Sequence, residues 1–394
     1  MDKGILKLID RRMNEAVTRG ECVGVTATVV HDGHVEHFAA AGTADIAAGR
    51  PMAEDTVFRM FSSTKCVTGV ATAMCVERGI LSPRTPVCEY LPGFRDQQYW
   101  DGAALRPVEA QPVTILNLLN MTSGILYPGD TAPGDRAMAD IAKDVAAEID
   151  AGDFSTDTVA FANRIGAAPL AFKPGDHWAY GFNADVMGAV IEVATGMRFG
   201  EFLRRELFDP LGMRDTGFSL DAGRRARLAM CYNCQPGCAP TPMPEVGRKL
   251  AMADYHERTA FESGGAGLVS TASDWAAFMA MLQAGGTWGG HRFLSPAGMR
   301  FLTAPQLLPE QARTFNWQDQ PGQNYGCFHH IKVAPGPTSN LCSVGTYGWD
   351  GALGTNSFVD PVERLSVIVM IQNAPPFGVR NLTWSLRNPA YAAL

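Results

Sequence analysis

Apolar and polar positions follow two rhythms along this chain. Near the start, residues 23–30 are β-branched and apolar, residues 34–40 follow in kind, and Asp32-Gly33 lies between them. That dipeptide suits the two positive-φ positions of a tight hairpin turn. Towards the end, residues 325–333, 344–349, 355–359 and 365–371 alternate or run apolar between turns, which predicts strands. Between these ends the spacing changes to three and four. Helices are predicted over residues 67–78, 115–121, 140–149, 156–165, 184–195 and 199–207, punctuated by Pro, Gly and Asp. Residues 91–112 and 127–136 read as loops, and residues 1–12 as a short amphipathic helix. After Gly264-Gly265-Ala266-Gly267, Thr271 or Ser273 caps a helix that begins at Asp274. Strands at both ends with helices between predict an α/β domain assembled from both termini, residues 1–80 plus 218–394. A mainly helical domain, residues 81–217, is inserted, with the active site in the cleft between them.

Composition narrows the class. The chain has 394 residues, 46% hydrophobic and 9% aromatic, enough for a large folded core. Its net charge of −7, with no basic run, excludes nucleic acid as the expected partner. No apolar stretch approaches the ~20 residues a membrane span needs. The charges within Ile5-Leu6-Lys7-Leu8-Ile9-Asp10 are unlike a signal peptide, so a cytoplasmic location is expected. Nine cysteines, several in apolar runs (Cys66, Cys75, Cys327), fit a reducing compartment. Cys231, Cys234 and Cys238 cluster, but a structural zinc site wants four ligands. His256 is the nearest fourth candidate and nothing places it there, so a Pro/Gly turn carrying thiols is expected, not a metal. His34 and His37 are an odd number apart, which in a strand places them on opposite faces. Neither metal nor organic cofactor is implied, and the oligomeric state is open.

The chemistry starts at Ser62-Ser63-Thr64-Lys65. A helix brings positions i and i+3 onto one face, about 5–6 Å apart. A hydroxyl at the helix start also meets backbone N–H groups that favour a developing negative charge. From these four residues alone, a helix N-cap followed by a solvated lysine is the simpler reading. Val67, Val70, Ala71 and Met74 at helical spacing, with Gly79 beyond, supply the helix. Gly-x-Ser-x-Gly, Gly-x-Gly-x-x-Gly, Walker-A and His-Glu-x-x-His motifs are absent from the sequence, and no histidine stands in a triad context. A serine activated without histidine remains.

Phe58-Arg59-Met60-Phe61-Ser62-Ser63-Thr64-Lys65 resembles the nucleophile motif of the serine β-lactamase and penicillin-binding-protein superfamily, closest to class C β-lactamases and family VIII carboxylesterases. Further blocks keep the family order from about Val23 to Val369. They are Pro112–Ile115 with Asn117–Gly124, Pro174–Tyr180, Phe208–Thr216, and Gly348-Trp349-Asp350-Gly351-Ala352-Leu353-Gly354-Thr355. The resemblance implies an antiparallel sheet flanked by helices. It makes Ser62 the acylated nucleophile and Lys65 and Tyr180 the proton-transfer pair. It makes the backbone N–H groups of Ser62 and Ala352 the oxyanion hole. Trp349, Asp350, Gly351, Phe182 and Asn183 become candidate substrate contacts, with Gly351 allowing close approach to the strand.

Two departures from the pattern matter. Tyr180-Gly181-Phe182 has Phe where the β-lactamases have Asn, and Asn183 comes one later. Trp349-Asp350-Gly351 replaces Lys-Thr-Gly, so the lysine that would attract a carboxylate becomes an apolar wall. Both point to a carboxylesterase on uncharged esters. The alternatives of the same fold are a β-lactamase, a D-amino-acid amidase or peptidase, and an acyltransferase. The alternative of another class is a non-catalytic binding protein.

Overall fold

The Asp32-Gly33 turn seeds the sheet. In this computed structural model, which describes all residues except 110, 236, 245, 253–258, 316–320, 337–340 and 375–376, both turn residues take positive φ, 53° and 76°. The hairpin of β1 (Gly24–His31) and β2 (His34–Asp45) closes around them. A bulge follows at once: Val29 faces His37 while Val30 faces Val35. It breaks the strict alternation from which His34 and His37 were assigned opposite faces. His37 Nε2 lies 2.6 Å from an Asp10 carboxylate oxygen.

After β3 (Arg50–Pro51), the rest of the sheet comes from the other end of the chain. It consists of β4 (Gln323–Gly326), β5 (His329–Lys332), β6 (Tyr347–Asp350), β7 (Asn356–Asp360) and β8 (Leu365–Met370). The order is β4-β5-β6-β7-β8-β1-β2-β3, antiparallel at every pairing. The two chain ends meet where β8 pairs with β1, from Thr26–Met370 to His31–Leu365. All of β8 is buried, which is why it reads as an unbroken apolar run rather than an alternation. The single strand predicted over 325–333 is instead the β4–β5 hairpin. It turns at Cys327 and Phe328, which take φ of 44° and 64°. Neither residue type advertises a left-handed turn, so the break is hidden in the sequence.

Among the described residues there are six longer helices, α1 (Lys3–Thr18), α2 (Thr64–Glu77), α3 (Pro133–Asp150), α4 (Asn183–Thr195), α5 (Ala272–Gln283) and α6 (Phe377–Ala392); the first two and the last two pack on the sheet, and α3 and α4 lie in the inserted segment. Helix α1 starts where the Asp2 carboxylate accepts the Gly4 and Ile5 N–H groups at 2.7 and 3.2 Å. It outruns the expected residue 12 because Met13 and Ala16 extend the buried stripe of Leu6 and Ile9. On one face of the sheet, α1 and α6 bury Leu6, Ile9, Leu382 and Leu386 against Val25, Ala27, Val367 and Val369. Each leucine, isoleucine and valine among them contributes roughly 1.5–3 kcal/mol. On the other face, α2 and α5 join a core that runs without a break into the inserted helices. Thr271 is the cap of α5: its hydroxyl accepts the Asp274 N–H at 3.3 Å.

Among the described residues no helix is long and apolar enough to cross a membrane. Nor do His, Cys, Asp and Glu side chains gather there in a group that could hold a metal ion. Cys231 Sγ lies 3.6 Å from Gln372 Oε1, Cys234 Sγ accepts from Asn373 at 3.1 Å, and Cys238 is exposed. His256 falls outside the described residues.

Candidate active site

Ser62 is placed by its neighbours on both sides. Phe58–Arg59 pairs antiparallel with Val269–Ser270, and Met60 N–H donates to the Leu268 carbonyl at 2.9 Å. Phe61 then takes φ of 44°, a left-handed conformation that costs a non-glycine residue roughly 1–3 kcal/mol. A 3-10 turn, Phe61–Ser63, leads into α2, so the α-helix begins at Thr64 and not at Ser62. Across from this turn, Thr355 acts as a clasp. Its hydroxyl donates to the Met60 carbonyl at 2.9 Å and meets the Ser63 hydroxyl at 3.0 Å. A Cβ on Gly351 would fall 2.1 Å from Thr355 Oγ1 and 2.4 Å from the Met60 carbonyl oxygen. Gly351 is therefore required by the protein's own packing. Among the described residues nothing accepts from the backbone N–H of Ser62 or of Ala352, and Ala352 is exposed.

Lys65, the second residue of α2, is fully buried. Its Nζ donates to Ser62 Oγ at 3.2 Å, Tyr127 OH at 2.9 Å and the Gly265 carbonyl at 2.7 Å. Three acceptors saturate an ammonium. Burial nevertheless pushes its pKa down to about 8, with the nearby Asp185 carboxylate pulling the other way. In the neutral amine only two hydrogens remain. The Gly265 carbonyl must keep one, because it cannot donate. The amine's lone pair is then offered to the Ser62 or the Tyr127 hydroxyl, whichever turns its hydrogen inward.

Tyr180 completes the group. Its hydroxyl is hydrogen-bonded to Ser62 and accepts from Trp349 Nε1–H at 3.0 Å. Burial raises its pKa well above the usual value, against the lowering effect of both hydrogen bonds. The Lys65 ammonium position lies 4.7 Å from the Tyr180 ring centroid. Trp349 is fully buried and packs at 5.2 Å from Tyr325 and 5.6 Å from Tyr180, centroid to centroid. It is also an N–H donor, which the sequence reading missed.

The structure brings Ser62, Lys65, Tyr180 and Trp349 together and treats the other candidates differently. Phe182 is buried edge-to-face between Tyr127 at 4.7 Å and Phe161 at 5.4 Å. The Asn183 amide, expected to meet a substrate, is fully buried; it accepts from Ser123 Oγ at 2.5 Å and reaches the Ile125 carbonyl at 3.4 Å. Both are core residues because they open α4, whose first turn packs inward. Asp350 follows Trp349 on the alternate side of β6. There its carboxylate favours the charged forms of both Lys65 and the buried Arg387. Two participants escaped the sequence reading. Tyr127 lay in a segment read as a loop. Asp185 had a signal, as a carboxylate in the apolar run Ala184-Asp185-Val186-Met187. It is buried, with its pKa raised by that burial, and it accepts from Ser263 Oγ and from Gly265 N–H. It therefore fixes the loop whose carbonyl holds Lys65.

This arrangement can acylate a serine: a hydroxyl, an amine lone pair and a second proton source converge. The beta-lactamase family model matches residues 9–391. Esterase EstB of Burkholderia gladioli is 32% identical over 98% of this chain and 94% of its own. Among solved structures, EstCE1, described as a hydrolase with promiscuous acyltransferase activity, superposes with a TM-score of 0.81 at 23% identity over 99% of both chains. Simvastatin synthase LovD of Aspergillus terreus does so at 0.80 with 22% identity over 98% of each.

Proposed function

The chain belongs to the beta-lactamase family, and we propose that it is a carboxylesterase working through an acyl-enzyme on Ser62, on esters with no carboxylate beside the scissile bond. One observation carries this reading. Where a lysine would attract such a carboxylate, Trp349 presents a neutral N–H, and that N–H is committed to Tyr180. Likeness to EstB, an esterase by name, supports it.

The proton steps follow from the burial of the pair. Lys65, with its pKa lowered to about 8, is the member able to be a free base near neutrality. Tyr180, with its pKa raised, stays a phenol until it is needed. Ser62 Oγ bonds to the ester carbonyl carbon as its proton passes to Lys65 Nζ. The Ser62 and Ala352 N–H groups hold the oxyanion; one such donor is typically worth ~2.7–4 kcal/mol in the transition state. Tyr180 O–H gives its proton to the leaving alkoxide as the carbon–oxygen bond breaks, while Trp349 N–H steadies the phenolate. Water then attacks the acyl-Ser62 carbonyl carbon, giving one proton to the Tyr180 phenolate, and Lys65 returns its proton to Ser62 Oγ as the acyl carbon–oxygen bond breaks and the acid leaves. An alcohol in place of water would make the same acyl-enzyme an acyltransferase. All nine cysteines are thiols, which supports a reducing, cytoplasmic setting.

Parallel kinetics on para-nitrophenyl butyrate and a chromogenic cephalosporin test the reading. The ester is expected to be the better substrate, and butanol to divert part of the acyl group if transfer competes. A fluorophosphonate probe should add one mass equivalent to the wild type and none to Ser62→Ala. An adduct that survives this substitution would sink the catalytic assignment, and better turnover of the cephalosporin would sink the esterase one.

A further inference from the structure

A small cavity lies where helix α5 crosses the β1–β2 hairpin. It holds about 180 Å³, and among its described lining residues none belongs to the reactive cluster. Positions alternate along β1. Val25, Ala27 and Val29 pack with α1 and α6, so Thr28 and Val30 point to the other face, towards α5. Opposite them, Ala272, Ala276 and Ala280 succeed one another at helical spacing along α5. Their methyl groups leave a gap that larger side chains would fill. Gln283, the last residue of α5, fixes the width of this gap. Its Oε1 accepts the Gly33 N–H at 2.7 Å, and its Nε2 donates to the Val30 carbonyl at 3.2 Å. Turn and helix end are thereby held together, and the cavity is formed without an occupant.

The two ends of the cavity differ in chemistry. At the end of α5, Val30, Val35, Ala280 and Trp288 offer hydrocarbon and an indole. Towards its start, about 10 Å away along the helix, stand three oxygen-bearing side chains: Thr28, Glu54 and Ser273. Glu54 reaches that end because it shortly precedes the Phe58–Ser270 pairing, beyond which α5 begins. Thr28 is 3% exposed, yet its Oγ1 has no hydrogen-bond partner among the described residues, an unfavourable state for a buried hydroxyl. Glu54 is exposed and likewise has no ion-pair or hydrogen-bond partner among the described residues. It is the one ionised group among the described lining residues. Ser273 Oγ lies 3.1 Å from Thr271 Oγ1 and keeps a lone pair to share. An ammonium answers all three oxygens, because it carries three N–H donors and a positive charge. The other end asks for a body without polar atoms. A cavity of roughly 150 Å³ holds benzene, so this one takes a ring with a two-carbon arm. We propose that the cavity is a binding site for a small arylalkylammonium, its charged end at Thr28, Glu54 and Ser273 and its ring against Trp288. The site is separate from the acylation chemistry and does not depend on the esterase reading.

Calorimetric titration with 2-phenylethylamine, an ammonium at neutral pH, and with its neutral counterpart 2-phenylethanol tests the proposal. The amine should bind about fivefold more tightly than the alcohol at low salt, the strength of one exposed ion pair. Glu54→Gln should remove that preference, and high salt should shrink it. Thr28→Val keeps the shape and deletes the hydroxyl. It should weaken amine binding about threefold without lowering the melting temperature of the free protein, because no hydrogen bond among the described residues is lost. Ala276→Leu should fill the cavity and abolish binding of both compounds. Ser62→Ala should bind the amine as the wild type does. No binding of the amine, equal affinity for amine and alcohol, or binding that survives Ala276→Leu in a folded variant would overturn the assignment. So would loss of binding in Ser62→Ala, which would place the amine at the acylation site instead. Should Ala276→Leu not fold, amine binding unchanged in both Glu54→Gln and Thr28→Val would overturn it.

Discussion

Trp349→Phe removes one hydrogen-bond donor and keeps an aromatic wall. The donor is Nε1–H, 3.0 Å from the Tyr180 hydroxyl. If Tyr180 stayed a phenol throughout, the loss would be that of a neutral hydrogen bond, about 0.5–1.5 kcal/mol. If Tyr180 yields its proton to the leaving group, the donor faces a phenolate in the transition state, and the loss rises to about 1.5–3 kcal/mol. At 1.36 kcal/mol per tenfold, this is about a 13- to 160-fold fall in kcat/KM, with KM little changed. The smaller ring leaves a void beside Tyr325 and His330, whose rings lie 5.2 and 5.8 Å from that of Trp349. Thermal unfolding must therefore confirm that the variant is folded at the assay temperature. Steady-state kinetics on para-nitrophenyl butyrate then give the number. A folded variant within threefold of wild type would refute the assignment of Tyr180 as the acid.

Further outcomes follow from the same geometry. Because burial lowers Lys65 to about 8 and the neutral amine is the base, kcat/KM should rise with pH, half-maximal near pH 8 and about a tenth of its limit at pH 7; a flat profile from pH 6 to 9 would exclude Lys65 as the base. Tyr127→Phe takes an acceptor from the Lys65 ammonium and should move that limb to lower pH by about one unit, read from the pH–rate profile; a shift to higher pH would contradict it. Gly351→Ala puts a methyl group against Thr355 and the Met60 carbonyl; it should cost about 1–3 kcal/mol of stability and lower kcat/KM, and an unchanged melting temperature would show that the contact yields freely.

Sequence reasoning reached furthest where chemistry and periodicity coincide. Ser62 and Lys65 stand three residues apart where a turn enters a helix, and Trp349 sits in an apolar strand, so both were legible. The start of α3 carried signals too: Pro133 opens it, and Asp135 accepts the Ala132 N–H at 2.8 Å. The apolar stripe overshadowed them, and the expected helix began late. Phe182 and Asn183 were misplaced for another reason. Motif spacing names residues, but only the packing of α4 decides which of them face inward. Tyr127 was illegible, because a tyrosine in an irregular segment gains its role from long-range proximity to Lys65, which no local pattern encodes.

The Thr355 clasp has a consequence for how this scaffold can change. The two N–H groups proposed to grip the carbonyl oxygen come from segments 290 residues apart, at Ser62 and Ala352. Thr355 pins the Ser62 turn to the β6 end through Met60 and Ser63, and Gly351 lets the two backbones touch. None of these contacts involves residues 81–217. The contacts that set the spacing of the two donors are therefore separate from α3, while Tyr127 and Tyr180 tie the proton-transfer groups to residues 81–217. Substitutions along α3 can accumulate while the spacing of the two donors stays as it is.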